Sequence, residues 1–336
     1  MSLTSTPSAT PSTTPGKPSS TSGRPSSTGR IGRVLELQRL DRPTFADLDP
    51  YLRDPEPAVR EAAVHVLGRL LHTGDGSRGA ADTLAWTLAD PDVRVREAAA
   101  RALDDLPEAV VGTDGVEALL LAAAPGRDVR VRSTATALLD ALVRAATELY
   151  AQGLQEDEPH LRVQAVLGLV TLRAAAEVAE AADDPAREVR VAVAGGLARL
   201  AGDPAPLDPV LPEPAPSALD HLLGDHDPVV RMAAIDAVGE LGAPEPLVGR
   251  VVTATAHASW QVRRRAALTL AFADPDVAVQ PLLRALRDRI VDVRRAAVQS
   301  LEQWAPTHPE VLTALTEALS DSDPGVRTQA RWALSD

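Results

Sequence analysis

The chain has 336 residues and 45% are hydrophobic, but it carries only two Phe, two Tyr and four Trp, and no Cys. The missing Cys excludes disulfides, thiolate metal sites and Cys nucleophiles, and no apolar run approaches the roughly 20 residues of a membrane span. Net charge is −13, yet residues 1–33 hold Lys17, Arg24, Arg30 and Arg33 with no acid, so the remainder is at −17 and repels nucleic acid at long range.

Residues 1–29 are almost all Ser, Thr, Pro, Gly and Ala. They cannot bury enough apolar area to offset the cost of ordering, which predicts a disordered tail. It reads as a flexible tether, a phosphorylation segment or an inert extension. No basic start followed by an apolar core marks a secretory signal, so a cytoplasmic location is expected. The rest of the chain, 30–336, is rich in Ala and Leu, which favour helix and close helix approach.

From residue 31 a unit recurs: an acid or turn residue, often Pro, then Val-Arg, then an Ala-rich run. Its Arg positions are Arg60, Arg96, Arg132, Arg162, Arg190, Arg231, Arg263, Arg294 and Arg327, with spacings between 28 and 41 residues. Nine copies at a near-constant period predict a repeat architecture. In seven of the nine copies, an acid or Ser stands three residues before the apolar residue that precedes the Arg: Glu56, Asp92, Asp128, Glu158, Asp227, Ser259 and Asp323. These are candidate N-caps, and Pro57, Pro159, Pro228 and Pro324 follow at the first helical position. In the first copy Val59, Ala62, Ala63, Val66, Leu67 and Leu70 share a broad helical face. Shorter apolar helices are predicted upstream of the caps, as at 84–89, 219–223 and 282–286. Each unit is then a helical hairpin that buries its core only by stacking on its neighbours.

Two stretches interrupt the period. Residues 203–217 hold six Pro and predict a stiff extended loop, either a binding element or a tolerated insertion. Residues 72–79 form a Gly-rich loop without the spacing of a calcium or phosphate loop.

The pattern Asp-Pro-x-x-x-Val-Arg-x-Ala-Ala resembles the HEAT-like repeats first associated with phycobilin lyases, over residues 44–336. The resemblance implies an all-α solenoid of about nine hairpins, with the second helix of each on the concave side. It also implies that the nine repeat Arg residues pair with turn acids as a structural ladder. Acids in the first turn slot are Asp54, Asp90, Glu156, Asp184, Asp225, Asp288 and Asp321. Among HEAT-like folds, di-iron hydroxylases carry His-Glu dipeptides, and this sequence has none. HEAT-like DNA glycosylases use a basic groove with Trp and Asp; here the body is acidic and the Trp residues are scattered.

No chemistry-bearing constellation emerges. The seven His residues, at 65, 72, 160, 221, 226, 257 and 308, are never three or four apart, so no helix offers a His pair to a metal. No catalytic residue, cofactor or metal is expected. Positions 3 and 7 of the second helices, counted from the Val, should point away from the core. In the middle repeats these include Val163, Leu167, Val191 and Met232, an apolar stripe fit for a partner helix or peptide. In the last repeats they include Arg264, Arg295, Gln299, Thr328 and Trp332. Residues 250–296 carry nine Arg and four Asp, and Arg264, Arg265, Arg287 and Arg295 form a candidate basic patch for an acidic or phosphorylated segment. The expected function is a non-enzymatic scaffold or adaptor for a protein or peptide. Two alternatives are an accessory or lyase-like subunit acting on a cofactor-bearing client, and a nucleic-acid binder, which the charge disfavours.

Overall fold

The computed structural model describes residues 25–37, 39, 44–72, 78–104, 111–201 and 213–335. Among them are eighteen α-helices, three short 3-10 turns and no strand. The chain divides into two compact units, Met1–Ala141 and Leu142–Asp336, where the sequence reads as one array. The division falls inside one long helix.

The first unit contains α1 (Ser27–Leu37), α2 (Phe45–Leu52), α3 (Pro57–His72), α4 (Arg78–Thr87), α5 (Val93–Asp104), α6 (Thr113–Ala123) and the first half of α7 (Val129–Gly153). α3 packs between α1 and α5, while α4 packs on α6. Val59, Ala63, Val66 and Leu67 are buried as the period requires, and Ala62 and Leu70 are half-buried. α1 begins at Ser27, inside the segment expected as tail; residues 1–24 lie outside the described residues.

The second unit takes the rest of α7 and then alternates long and short helices. The second helices of the hairpins are α8 (Pro159–Thr171), α10 (Arg187–Ala201), α12 (Pro228–Glu240), α14 (Trp260–Thr269), α16 (Val291–Leu301) and α18 (Pro324–Ala333). The first helices between them are α9 (Ala175–Glu180), α11 (Ala215–Leu223), α13 (Leu247–Ala254), α15 (Pro275–Ala285) and α17 (Pro309–Ala318). Each second helix packs on the next, far more extensively than the first helices do on each other. That closer row is the inner side of the stack. One continuous apolar core runs through it, from Val166 and Leu197 to Leu315 and Ala330.

The caps explain where these helices start. Asp227 accepts from the Val229 N–H, and Asp323 accepts from the N–H groups of Gly325 and Val326. Pro228 and Pro324 sit in the first turn, where a missing N–H costs nothing. Glu158 and Ser259 occupy the same position without a side-chain cap. The Ser259 hydroxyl donates to Gln261 Oε1 instead, 2.6 Å away.

Of the expected loop 72–79, His72 ends α3 and Arg78 and Gly79 open α4, while residues 73–77 lie outside the described residues. α10 runs unbroken through Gly195 and Gly196. Gly196 is buried against α8, where an added Cβ would press Val170 Cγ2 at 2.7 Å, so the missing side chain permits the close approach of two second helices. Of the Pro-rich stretch 203–217, residues 203–212 lie outside the described residues. Residues 215–217 are not an extended loop but the first turn of α11, and Pro216 fits there because that turn needs no N–H from it.

Candidate partner-binding groove

The repeat Arg residues are built into the hairpin turns. Arg190 donates from Nη1 to the carbonyls of Asp184 and Pro185, which clamps its own turn. Its Nε and Nη2 reach the next turn, donating to both oxygens of Asp225 at 2.6 and 3.2 Å. Asp225 also accepts the Asp227 N–H at 2.8 Å, so one carboxylate shapes its turn and ties it to the previous repeat. The same two-sided bond joins Arg60 to Asp90, Arg162 to Asp184, Arg263 to Asp288 and Arg294 to Asp321. These side chains are largely buried, so their bidentate hydrogen bonds offset the cost of desolvating both charges. Burial pushes the Asp184 and Asp225 carboxyls up, but the Arg and backbone N–H donors together outweigh it and hold both below the usual range. Asp288 and Asp321 are held low chiefly by Arg263 and Arg294.

Four predicted rungs differ. Arg96 clamps the carbonyls of Asp90 and Pro91, but the next slot is Gly126, which offers no carboxylate. The Arg132 side chain makes no hydrogen bond or ion pair within its unit among the described residues, and its backbone N–H donates to the Asp128 carbonyl. Arg231 meets His257 in the next slot and donates to the carbonyls of Asp225 and Gly224 instead. Arg327 clamps the carbonyls of Asp321 and Ser322. The structure also adds a rung that the sequence does not announce. Arg30 on α1 donates to the Pro25 carbonyl and reaches Asp54 Oδ2 at 2.9 Å. Its preceding residue is Gly29 rather than Val, which hides it from the Val-Arg pattern.

Because the ladder occupies its own Arg residues, the cations on other faces stand out. An open groove of about 530 Å³ crosses α14, α16 and α18 on the inner row. It brings together Arg264, Arg295, Gln299, Thr328 and Trp332, which with Leu268 are the position-3 and position-7 residues of the last three second helices. Trp332 is 62% exposed. Arg264 has no hydrogen-bond or ion-pair partner among the described residues. Arg295 lies 3.9 Å from both Asp292 and Asp323 and passes over Gly325, where any Cβ would collide with its guanidinium. Gln299 and Gln329 add amide donors and acceptors, and Leu268 supplies an apolar floor.

Leu268 also lines the adjoining hollow, with Asp236, Glu240, Arg265, Thr269 and Phe272. Arg265 therefore belongs to this hollow and pairs with Asp236 at 3.2 Å. Burial raises the Asp236 carboxyl above its ordinary value, Arg265 opposes that and Glu240 adds to it. Phe272 is 64% exposed, at the end of the 3-10 turn that extends α14. Sequence reasoning missed it; the signal was its rarity, since Phe45 is the only other Phe.

The remaining expected site residues lie elsewhere. Arg287 is exposed on the first-helix side, near Glu310 and Glu317, and does not join Arg264 and Arg295. Val163, Val191 and Met232 are half-buried and packed against the core, and Leu167 is half-buried beside them. The middle stripe is thus a partly covered seam between second helices, less open than the periodicity implied. No group of three His, Asp or Glu side chains converges as a metal site among the described residues. No helix among them is long and apolar enough to cross a membrane.

Known proteins with this pattern can now be set beside the geometry. The model of HEAT repeats matches residues 45–140 and 250–335, and a second HEAT-repeat model matches residues 217–243. No curated protein matches the chain. Among solved structures, an engineered protein is 18% identical over 90% of each chain, with a TM-score of 0.41. A mutant of Kap121p is 14% identical, over 88% of this chain and 38% of its own, with a TM-score of 0.42. Kap95p, from a structure concerning its effect on the switch loops of RanGDP, is 15% identical over 86% of this chain and 44% of its own, with a TM-score of 0.42.

Proposed function

The chain belongs to the HEAT-repeat family, and on that footing we propose that it is a scaffold or adaptor that holds a protein partner in the groove across α14, α16 and α18. One observation carries this reading: an exposed Trp332 and an Arg264 without a side-chain partner among the described residues share a groove on the inner helix row, while the repeat Arg ladder is spent on the fold. Aromatic and Arg side chains supply most of the energy at protein interfaces, because each brings a large contact area together with polar reach. The supporting row is rigid, since each helix is tied to the next by buried core and several by ladder bonds. A partner that docks there meets a preformed surface and loses little affinity to ordering it.

The test is a comparison of proteins retained from native lysate by the unmodified chain and by an Arg264→Glu, Trp332→Ala double variant. Trp332 is exposed and the half-buried Arg264 takes no part in the ladder, so the variant keeps its helicity and thermal midpoint. The reading predicts loss of a defined set of retained proteins. Retention of the same set by a folded variant overturns it.

A further inference from the structure

The groove and the adjoining hollow differ in charge, and together they specify the chemistry of what lies across them. At the α12 end stand Asp236 and Glu240. Arg265 is engaged with Asp236, while Glu240 is exposed and has no ion-pair partner among the described residues. At the other end Arg264 has no side-chain partner among the described residues, while Arg295 lies 3.9 Å from Asp292, which also lines the groove, and from Asp323, and keeps half of its side chain exposed. Between the two lies Leu268, shared by both depressions. An exposed aromatic flanks each end, Phe272 near the acids and Trp332 beyond the arginines. The surface is therefore not simply basic, as the count of Arg over residues 250–296 implied, but divided.

We propose that this face takes a short extended segment of a partner protein, with a cationic side chain at Asp236 and Glu240, an anionic one at Arg264 and Arg295, and apolar side chains on Phe272, Leu268 and Trp332. This rests on the scaffold reading above and names the partner's chemistry. Burial already strains the Asp236 carboxylate, and a second cation beside it relieves that cost. The charged ends lie one to two helix spacings apart, about 10–20 Å, which an extended chain covers in about three to six residues. Opposite charges at the two ends fix which way the segment runs, and they reject segments of a single sign.

The experiment titrates the full chain into labelled peptides of about seven residues and follows anisotropy. The first peptide has lysine first, leucine third, glutamate sixth and phenylalanine last. In the second the glutamate becomes lysine, and in the third the lysine becomes glutamate. The two-signed peptide is expected to bind at least about tenfold tighter than either single-signed one. Arg264→Glu should move the preference to the lysine-only peptide, and Glu240→Lys to the glutamate-only peptide, while Trp332→Ala weakens all three. The proposal is overturned by equal affinities, by no saturable binding, or by a glutamate-only optimum in the unmodified chain. Equal competition by single-stranded DNA, or a dimer that Trp332→Ala dissolves, overturns it too, in favour of a nucleic acid or a second copy. If the double variant loses its captured proteins but the peptides are not discriminated, the inference fails and the scaffold reading stands.

Discussion

Two neighbouring rungs of the second unit are built from the same parts save one. At Asp225 the slot carries two oxygens: Oδ1 takes the Asp227 N–H and Arg190 Nη2, and Oδ2 takes Arg190 Nε. At His257 the slot carries one usable acceptor, Nδ1, which takes the Ser259 N–H at 3.0 Å. The turn forms equally well in both places. The tie to the previous repeat does not, and Arg231 folds back onto the carbonyls of its own turn. The slot therefore does two separable jobs. One acceptor shapes the hairpin turn, and a second, charged face couples one hairpin to the next.

That separation can be broken where it is strongest. Arg190→Ala leaves Asp225 buried and without its cation, and should cost about 3 kcal/mol in a denaturant titration, as the loss of one partner of a buried pair does. Arg231→Ala, at the open rung, should cost clearly less, because no carboxylate is stranded. Equal costs would mean that the carbonyl clamp, not the tie, carries the energy.

The open rung can also be closed. His257→Asp restores the second acceptor toward Arg231 and should raise stability by about 1–2 kcal/mol, the scale of a hydrogen bond to a charged group. No gain in the denaturation midpoint would show that Arg231 cannot leave its carbonyls. The parallel gap at Gly126 should not respond in this way. Gly126 has φ +89°, which a residue with a Cβ adopts only at a cost, so Gly126→Asp should gain nothing from Arg96.

Acid separates the rungs by pH. Asp184, Asp225, Asp288 and Asp321 have carboxyls below the ordinary value, so their contribution is complete above the unfolded value near ~3.9 and is lost as pH falls through the lower folded values. His257 is also lowered, by burial first and then by Arg231. Its contribution is complete above the unfolded value near ~6.5 and is lost as pH falls below that. A thermal series between about pH 7 and pH 5 should therefore show a decline in the unmodified chain that His257→Asp reduces. An identical slope in both would remove His257 from the account.

The same contrast shows what the sequence could say. Asp-Pro caps and Pro at the first helical turn are local signals, and they placed the helix starts because each depends on residues a few positions apart, whereas the ladder joins residues 22 to 35 positions apart and was implied only by the family resemblance. Helical periodicity likewise put Arg264, Arg295, Gln299, Thr328 and Trp332 on one row. What it missed depends on contacts between hairpins. Arg30 lacks the Val before it, and His257 fills an acid's place in the turn without being an acid. Arg287 is close to Arg295 in sequence, but it follows the first helix of its hairpin and faces away from the groove. Val163, Val191 and Met232 obey the outward register, yet they are half-buried and pack against the core.

On the proposed reading, the arginines divide into those that hold the stack together and those left free for a partner. Denaturant unfolding of Arg190→Ala and Arg264→Ala, measured side by side, tests it most directly. A loss of about 3 kcal/mol is expected for the first and a change within about 0.5 kcal/mol for the second, as for a side chain without structural partners. Comparable losses in the two variants would contradict it.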